Sequence, residues 1–296
     1  MKCSMTRPPI SVVISTLGDP STVLRNLGDL PTQVRDVSGE LIVITGAPAD
    51  GTLPPEGIRV HRIPGGSVFD CRLAAFDVAS ADILALTEDH CIHSDRWCAR
   101  ILKNFSSRPN LVLLGGAVSN GSSECLEDLM NYWMTFATYA PGQVTATHPC
   151  VAQIIVKVSA IEAPQRPGEL ENSIIEKFKQ IPGAIYIDPE LTVSHVQSHG
   201  FWNTFAIHYH NGRVTGGFST RRINDQDLSL WKSLRWSWMD SQAHLLRAYH
   251  AFRSGKKSGW SIVCYLLLIL PLVAVHATGE LVGYHKGPGK SALRLV

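Results

Sequence analysis

Ala81-Asp-Ile-Leu-Ala-Leu-Thr-Glu-Asp-His-Cys91 decides how this chain is read. Its centre, Ile83 to Leu86, is short, apolar and uncharged, which suits a strand buried on both faces. The run breaks at once into two carboxylates and an imidazole, Glu88, Asp89 and His90. Upstream the pattern recurs. Residues 10–16 are a β-branched run without charge, ended by Leu17-Gly-Asp-Pro20, and residues 40–45 form a second run closed by Gly46. Residues 58–63 alternate and suit a shorter strand. Between the runs, residues 20–30 carry Val23, Leu24, Leu27 and Leu30 on one face and read as a helix, as do residues 68–79. Strands separated by helices predict an α/β fold, a parallel sheet covered by helices on both faces. Ligands in such sheets sit beyond the carboxyl ends of the strands, which nominates residues 16–19, 45–47 and 88–91.

Downstream the elements are less regular. Residues 111–117 and 151–158 read as strands, 125–139 as a helix rich in aromatics and methionine, and 170–181 as a helix stopped by Pro182-Gly183. Residues 184–188 and 191–195 read as two short strands around a turn at Pro189. Residues 225–254 form a long amphipathic helix with Trp231, Trp236, Trp238 and interspersed arginines. Such a helix fits a bilayer interface or, equally, a core in which the tryptophans are packed. From 259 to 279 there are 21 residues without Lys, Arg, Asp or Glu. As a helix this stretch reaches about 30 Å, enough to cross a bilayer. Pro271 and His276 also leave open a buried or interfacial helix. Lys256 and Lys257 on one side, and His285, Lys286, Lys290 and Arg294 on the other, barely favour an orientation. The expected organisation is an α/β domain over 1–222, an amphipathic helical region over 223–257, and a hydrophobic segment with its tail over 258–296.

Composition narrows the classes. A chain of 296 residues, 45% hydrophobic and 18% charged, is neither disordered nor collagen-like. Twenty-seven basic against 25 acidic residues give a net charge of +2, so no concentrated basic face argues for nucleic acid. Seven cysteines are an odd number and form no CxxC pair, and residues 1–9 hold no signal peptide. Reduced thiols in the cytosol are expected.

Several side chains suit chemistry. Glu88, Asp89 and His90 at a strand's carboxyl end can hold a divalent metal, which in turn can neutralise a diphosphate; acidic strand ends are also common solvated caps. His195 closes another expected strand and can complete that shell. Glu169 and Glu171 begin a helix, where the dipole favours carboxylates and where a general base is also well placed. Arg72, after Gly65-Gly66, is within reach of phosphate oxygens or is simply a surface arginine. His210 and Arg213 offer an imidazole and a guanidinium before the long helix. His208 and His210 at i and i+2 point apart on a helix, and Cys91 and Cys98 lack partners for zinc.

In order, Ser11-Val-Val-Ile-Ser-Thr16, Glu40-Leu-Ile-Val-Ile-Thr45 and residues 81–91 with Trp97 resemble family 2 glycosyltransferases of the GT-A fold. The likeness continues through Gly115-Gly-Ala-Val-Ser-Asn-Gly121, Gly168-Glu-Leu-Glu171, Asp188-Pro-Glu-Leu-Thr-Val-Ser-His195 and a turn at His210-Asn-Gly-Arg213. Thr278-Gly-Glu-Leu-Val-Gly-Tyr-His-Lys-Gly287 is similar to the membrane-proximal tail of bacterial members. The resemblance implies a Rossmann-related mixed sheet flanked by helices, then an amphipathic helix and a membrane segment. It implies an inverting, metal-dependent transferase moving a sugar from a nucleotide-diphosphate donor to a hydroxyl acceptor, lipid-linked or part of a surface glycan. Mg²⁺ or Mn²⁺ would be bound by Asp89, His90 and His195, with Thr16, Arg72, Glu88, His210 and Arg213 contacting substrate. Glu171 matches the catalytic base, with Glu169 as substitute. The enzyme would be membrane-associated, its catalytic domain facing the cytoplasm.

The chain also departs from that family. Thr45-Gly46 stands where an aspartate usually meets the nucleobase, His90 replaces an aspartate, and Cys150-Val-Ala-Gln153 replaces a Gly-Asn-Asn segment. These departures keep open a second reading, a GT-A-like module that binds a nucleotide or partner without transfer. A Rossmann-type nucleotide enzyme, which shares the βαβ start, is disfavoured because Thr16-Leu-Gly-Asp-Pro-Ser lacks the GxGxxG turn.

Overall fold

A computed structural model describes residues 7–20, 23, 26–48, 57–122, 125–219, 221–222, 228–254 and 259–295. The chain falls into two compact units, Met1–Gly116 with Thr147–Ser194, and Ala117–Ala146 with His195–Val296.

The first unit is built on a sheet. Strands β1 (Ser11–Thr16), β2 (Glu40–Thr45), β3 (Ile58–Arg62) and β4 (Ile83–Glu88) pair in parallel. The uncharged β-branched sequence of β1 explains why all six of its residues are buried. Strand β7 (Gln153–Lys157) runs antiparallel to β4 and to β6 (Leu113–Asn120). With β5 (Cys91–His93) and β8 (Ile185–His195) the order is β3-β2-β1-β4-β7-β6-β8-β5. The sheet is therefore mixed, as the family resemblance implies, and not wholly parallel as the strand–helix alternation alone suggests. Helix α1 (Leu30–Asp36) is not anticipated by the sequence. Of the helix expected over 20–30, residues 21, 22, 24 and 25 lie outside the described ones, and the chain has left helical geometry by Leu27. Helix α2 (Val68–Val78) starts on a capping box between Ser67 and Asp70. Helix α3 (Trp97–Ser107) follows β5. Val13, Ile42, Ile44, Leu84, Leu86 and Ile154 pack with Cys71 and Ala75 of α2 into the core.

Two expectations in this unit need correction. Residues 184–195 form no pair of strands around a turn: Pro189 lies inside the single strand β8. β5, the outer neighbour of β8, is only three residues long, so much of that edge has no partner needing a proline N–H. The helix expected over 170–181 is a π-helical turn, Leu170–Ile174, running into the short α5 (Ile175–Phe178).

The second unit is helical: α4 (Leu126–Phe136), α6 (Phe201–Phe218), α7 (Leu230–Ser254) and α8 (Gly259–Lys286). The turn expected at His210-Asn-Gly-Arg213 is the middle of α6. It stays helical because glycine there permits contact with α8. A Cβ on Gly212 would lie 2.0 Å from the carbonyl oxygen of His276, and one on Gly216 2.3 Å from that of Glu280. The two numberings rise together, so α6 and α8 run parallel with their backbones touching. Small residues four apart produce this contact, which Gly279 and Gly283 repeat from α8. Met130 and Met134 of α4 pack on Leu272 and Val273. Residues 263–286 are long and apolar enough to cross a membrane, with a mean hydropathy of 1.9 over their most apolar 18 residues.

Candidate active site

Parallel pairing brings the carboxyl ends of β1 and β4 to one edge, with Ser15 opposite Glu88. Thr16 therefore stands beside the acidic turn, and its hydroxyl donates to Asp89 Oδ2. The same hydroxyl accepts from the Gly18 amide at 2.9 Å. Next along the edge, Thr45 donates to the Gly18 carbonyl at 2.8 Å and accepts from the Ala47 amide at 2.9 Å. The threonine at the place of the family's aspartate thus ties two strand-end loops together.

Asp89 Oδ1 lies 2.7 Å from His90 Nδ1, and Glu88 Oε2 lies 3.5 Å from His90 Nε2. Burial alone would lower the His90 pKa, but the hydrogen bonds and charges of Asp89 and Glu88 outweigh it and raise it to about 9. Asp89, His90 and Glu88 supply carboxylate oxygens and one imidazole, a donor set that fits Mn²⁺ or Mg²⁺. A metal held there would have to displace the His90 proton, so its affinity would depend on pH.

Arg72 holds the opposite wall. It projects from α2 and is only 3% exposed. Its Nη2 donates to Glu88 Oε1 at 2.9 Å and to the Val151 carbonyl at 3.0 Å, and its Nη1 to Glu171 Oε1 at 3.2 Å. Burial opposes the charge, yet Glu88 and Glu171 hold the guanidinium protonated. This corrects the picture of a surface arginine: Arg72 is a buried bridge between the acidic turn and the π-helical turn that carries Glu171. Such π turns recur at functional sites. Glu169 serves differently. Its Oε2 accepts from the Gln165 and Arg166 amides at 2.7 and 3.1 Å, closing the turn before the helix.

The segment 150–153 contributes backbone. Val151 and Ala152 present their carbonyls to Arg72 and to the Thr87 hydroxyl. Gln153 is fully buried, accepting from Trp97 Nε1 at 3.1 Å and donating to the Leu191 carbonyl at 3.2 Å. Sequence reasoning missed the Val151 carbonyl, since a backbone acceptor has no residue-type signature. Thr16, Arg72, Glu88, Asp89, His90 and Glu171 are all brought together within the first unit.

The remaining candidates belong to the second unit. His195, the last residue of β8, is buried, with its ring 4.6 Å from that of Phe136. His210 Nδ1 lies 3.0 Å from the Ser291 hydroxyl, and Arg213 Nε donates to the Gly287 carbonyl at 3.2 Å. Both brace α6 against the C-terminal segment.

Solved structures share the fold. A mannosyltransferase from Pyrobaculum calidifontis, solved with GDP-Man and Mn²⁺, matches over 95% of this chain and 87% of its own, at 13% identity and TM-score 0.50. The fold is GT-A-like. The GalNAc-T7 structure with UDP, GalNAc and Mn²⁺ matches over 65% of this chain at 14% identity. There the chain spans 44% of the other's length at TM-score 0.43, too loose a superposition to argue from. No family profile and no curated protein matches the sequence.

Proposed function

We propose that this chain is a metal-dependent glycosyltransferase that moves a sugar from a nucleotide-diphosphate donor to a hydroxyl acceptor with inversion. The observation that carries the reading is the Arg72 bridge, which sets the Glu171 carboxylate beside the acidic turn at the sheet's carboxyl edge. The mannosyltransferase solved with GDP-Man and Mn²⁺ supports a nucleotide-sugar donor and a divalent ion.

Asp89, His90 and His195 would hold Mg²⁺ or Mn²⁺. The bound ion would neutralise charge on the departing diphosphate. Thr16 and the loop it shares with Thr45 line the donor side. Glu171 takes the proton of the acceptor hydroxyl as that oxygen attacks the anomeric carbon. The bond from that carbon to the diphosphate breaks on the opposite face, so configuration inverts. Arg72 is a positioning residue, since its donors hold Glu171 and Glu88. His210 and Arg213 act on substrate only through the C-terminal segment they brace.

The acceptor we propose is lipid-linked, met at a membrane surface on the cytoplasmic side. Trp231 and Trp238 on α7 are 82% and 66% exposed, among exposed Lys232 and Arg235, the composition of an interfacial helix. Val263, Leu267 and Leu270 add an exposed apolar stripe on α8.

A panel of nucleotide sugars with Mn²⁺ tests the reading. Donor hydrolysis or transfer should fall about 10²–10⁴-fold in Glu171→Gln and change little in Glu169→Gln. Donor binding without turnover in the wild type would favour the second reading, a non-catalytic binding module. The position of Thr45, already engaged with Gly18 and Ala47, is the observation on that side.

A further inference from the structure

The outer surface of α7 pairs an apolar stripe with positive charge. Leu230, Trp231, Leu234 and Trp238 are all exposed. At 3.6 residues per turn they fall within about 100° of one another around the helix axis, so they form one stripe. Lys232 and Arg235, exposed as well, border it on one side. The single acidic residue of α7 is Asp240, and Arg221 pairs with it at 2.7 Å. Ser233 Oγ lies 2.8 Å from His285 Nε2, which brings the exposed Lys286 to the same end of the bundle. From this arrangement we propose that α7 lies flat on a bilayer rich in anionic lipid, and that α8 runs beside it without crossing. The inference rests on and deepens the membrane-facing part of the proposed function, and not on sugar transfer.

The competing geometry is a crossing by α8, which its length and hydropathy allow. The neighbours of α8 argue against it. Ala248 of α7 packs with Ile269, and Leu245 joins the cluster around Leu272 and Val273. These contacts set α7 alongside the middle of residues 263–286, and there it carries Gln242 and Arg247 exposed. With α8 across a bilayer, the Arg247 guanidinium would face hydrocarbon, a costly place for a charge. Further along, the Ser237 hydroxyl lies 3.1 Å from both the Ala277 carbonyl and Glu280 Oε2, so the two helices stay side by side past the middle of that stretch.

A flat arrangement removes that cost. The tryptophans sink to headgroup depth, where an aromatic ring keeps its apolar body in the acyl boundary and its N–H in water. Lys232 and Arg235 lay their stems along the boundary and meet lipid phosphates with their charged ends. Each such cation adds attraction to an anionic surface and none to a zwitterionic one, which is why the occupant is an anionic bilayer and not lipid in general.

The test floats the full chain, purified without detergent, with vesicles of phosphatidylcholine alone or with about one-third phosphatidylglycerol. We expect binding at least ~10-fold stronger to the mixed vesicles, weakened by high salt. Trp231→Ala with Trp238→Ala, and separately Lys232→Glu with Arg235→Glu, should each reduce it at least ~10-fold. If either variant fails to fold, the lipid and salt dependence of the wild type still decides. Alkaline carbonate should release the chain from the membranes of cells that express it. Binding to neither vesicle, equal binding to both, or binding unchanged in both variants overturns the proposal, as does a chain that carbonate leaves in the membrane. A dimer seen by light scattering and lost in the tryptophan variant, without vesicle binding, would assign the face to a second copy and overturns it too. Flotation involves no donor, so failure of the transferase reading is told apart from failure here.

Discussion

The two units keep their polar residues in opposite places. In the first, parallel strands deliver Thr16, Glu88 and Asp89 to the carboxyl edge of the sheet, and the chemistry gathers where the backbone ends. In the second, His208, His276 and Glu280 sit inside a bundle whose helices touch through glycine. The contrast teaches that a sheet gathers its polar side chains through chain direction, while a bundle can bury them within sequence that reads as merely apolar.

The largest effect expected on this comparison follows from Arg72→Met. It would strand the part-buried Glu88 and Glu171 without their shared cation and cost about 3–5 kcal/mol of stability. Hydrogen exchange should show protection lost across β1, β4 and α2; losses confined to the helical unit would break the distinction drawn here.

Next comes acid. His93 is buried in the first unit, and burial lowers its pKa to about 4, with Asp29 acting weakly against the shift. The neutral ring fits the fold, so its contribution is complete above the unfolded value of about 6.5 and is lost as pH falls toward 4. Over that window the loss is on the order of 3 kcal/mol. Denaturant midpoints from pH 7 to 4 should show it, and His93→Gln should flatten the slope.

Smallest is Gly216→Val, which forces α6 from α8 and costs about 1–3 kcal/mol of packing. Exchange protection should fall in α6 and α8 while donor binding is kept. Equal loss throughout the sheet would show that the glycine contact supports more than the bundle.

Much of the first unit was legible. Uncharged runs at 10–16, 41–45 and 83–86 read as buried strands, and buried strands place the next polar residues at a common edge. Chain direction was not legible: β7 runs antiparallel, and hydrophobic alternation carries no sign. Pro189 looked like a turn because proline removes a donor, and the sequence does not reveal that β5 stops too soon to need it. Arg72 was legible as a cation but not as a buried one, because its partner Glu171 lies 99 residues away. His210-Asn-Gly-Arg213 looked like a turn because glycine in a helix is unfavourable until another backbone presses against it. The approach of His208, His244 and His276 to one another gave no signal, since each comes from a different helix.

The most direct test of the central claim, that the carboxyl edge of the first sheet binds a nucleotide diphosphate through a metal, is calorimetry of the purified chain with UDP and with GDP. We predict saturable binding of one of them with Mn²⁺ present, abolished by chelation and by Asp89→Asn. Binding of equal strength without metal, or undiminished in Asp89→Asn, would contradict it.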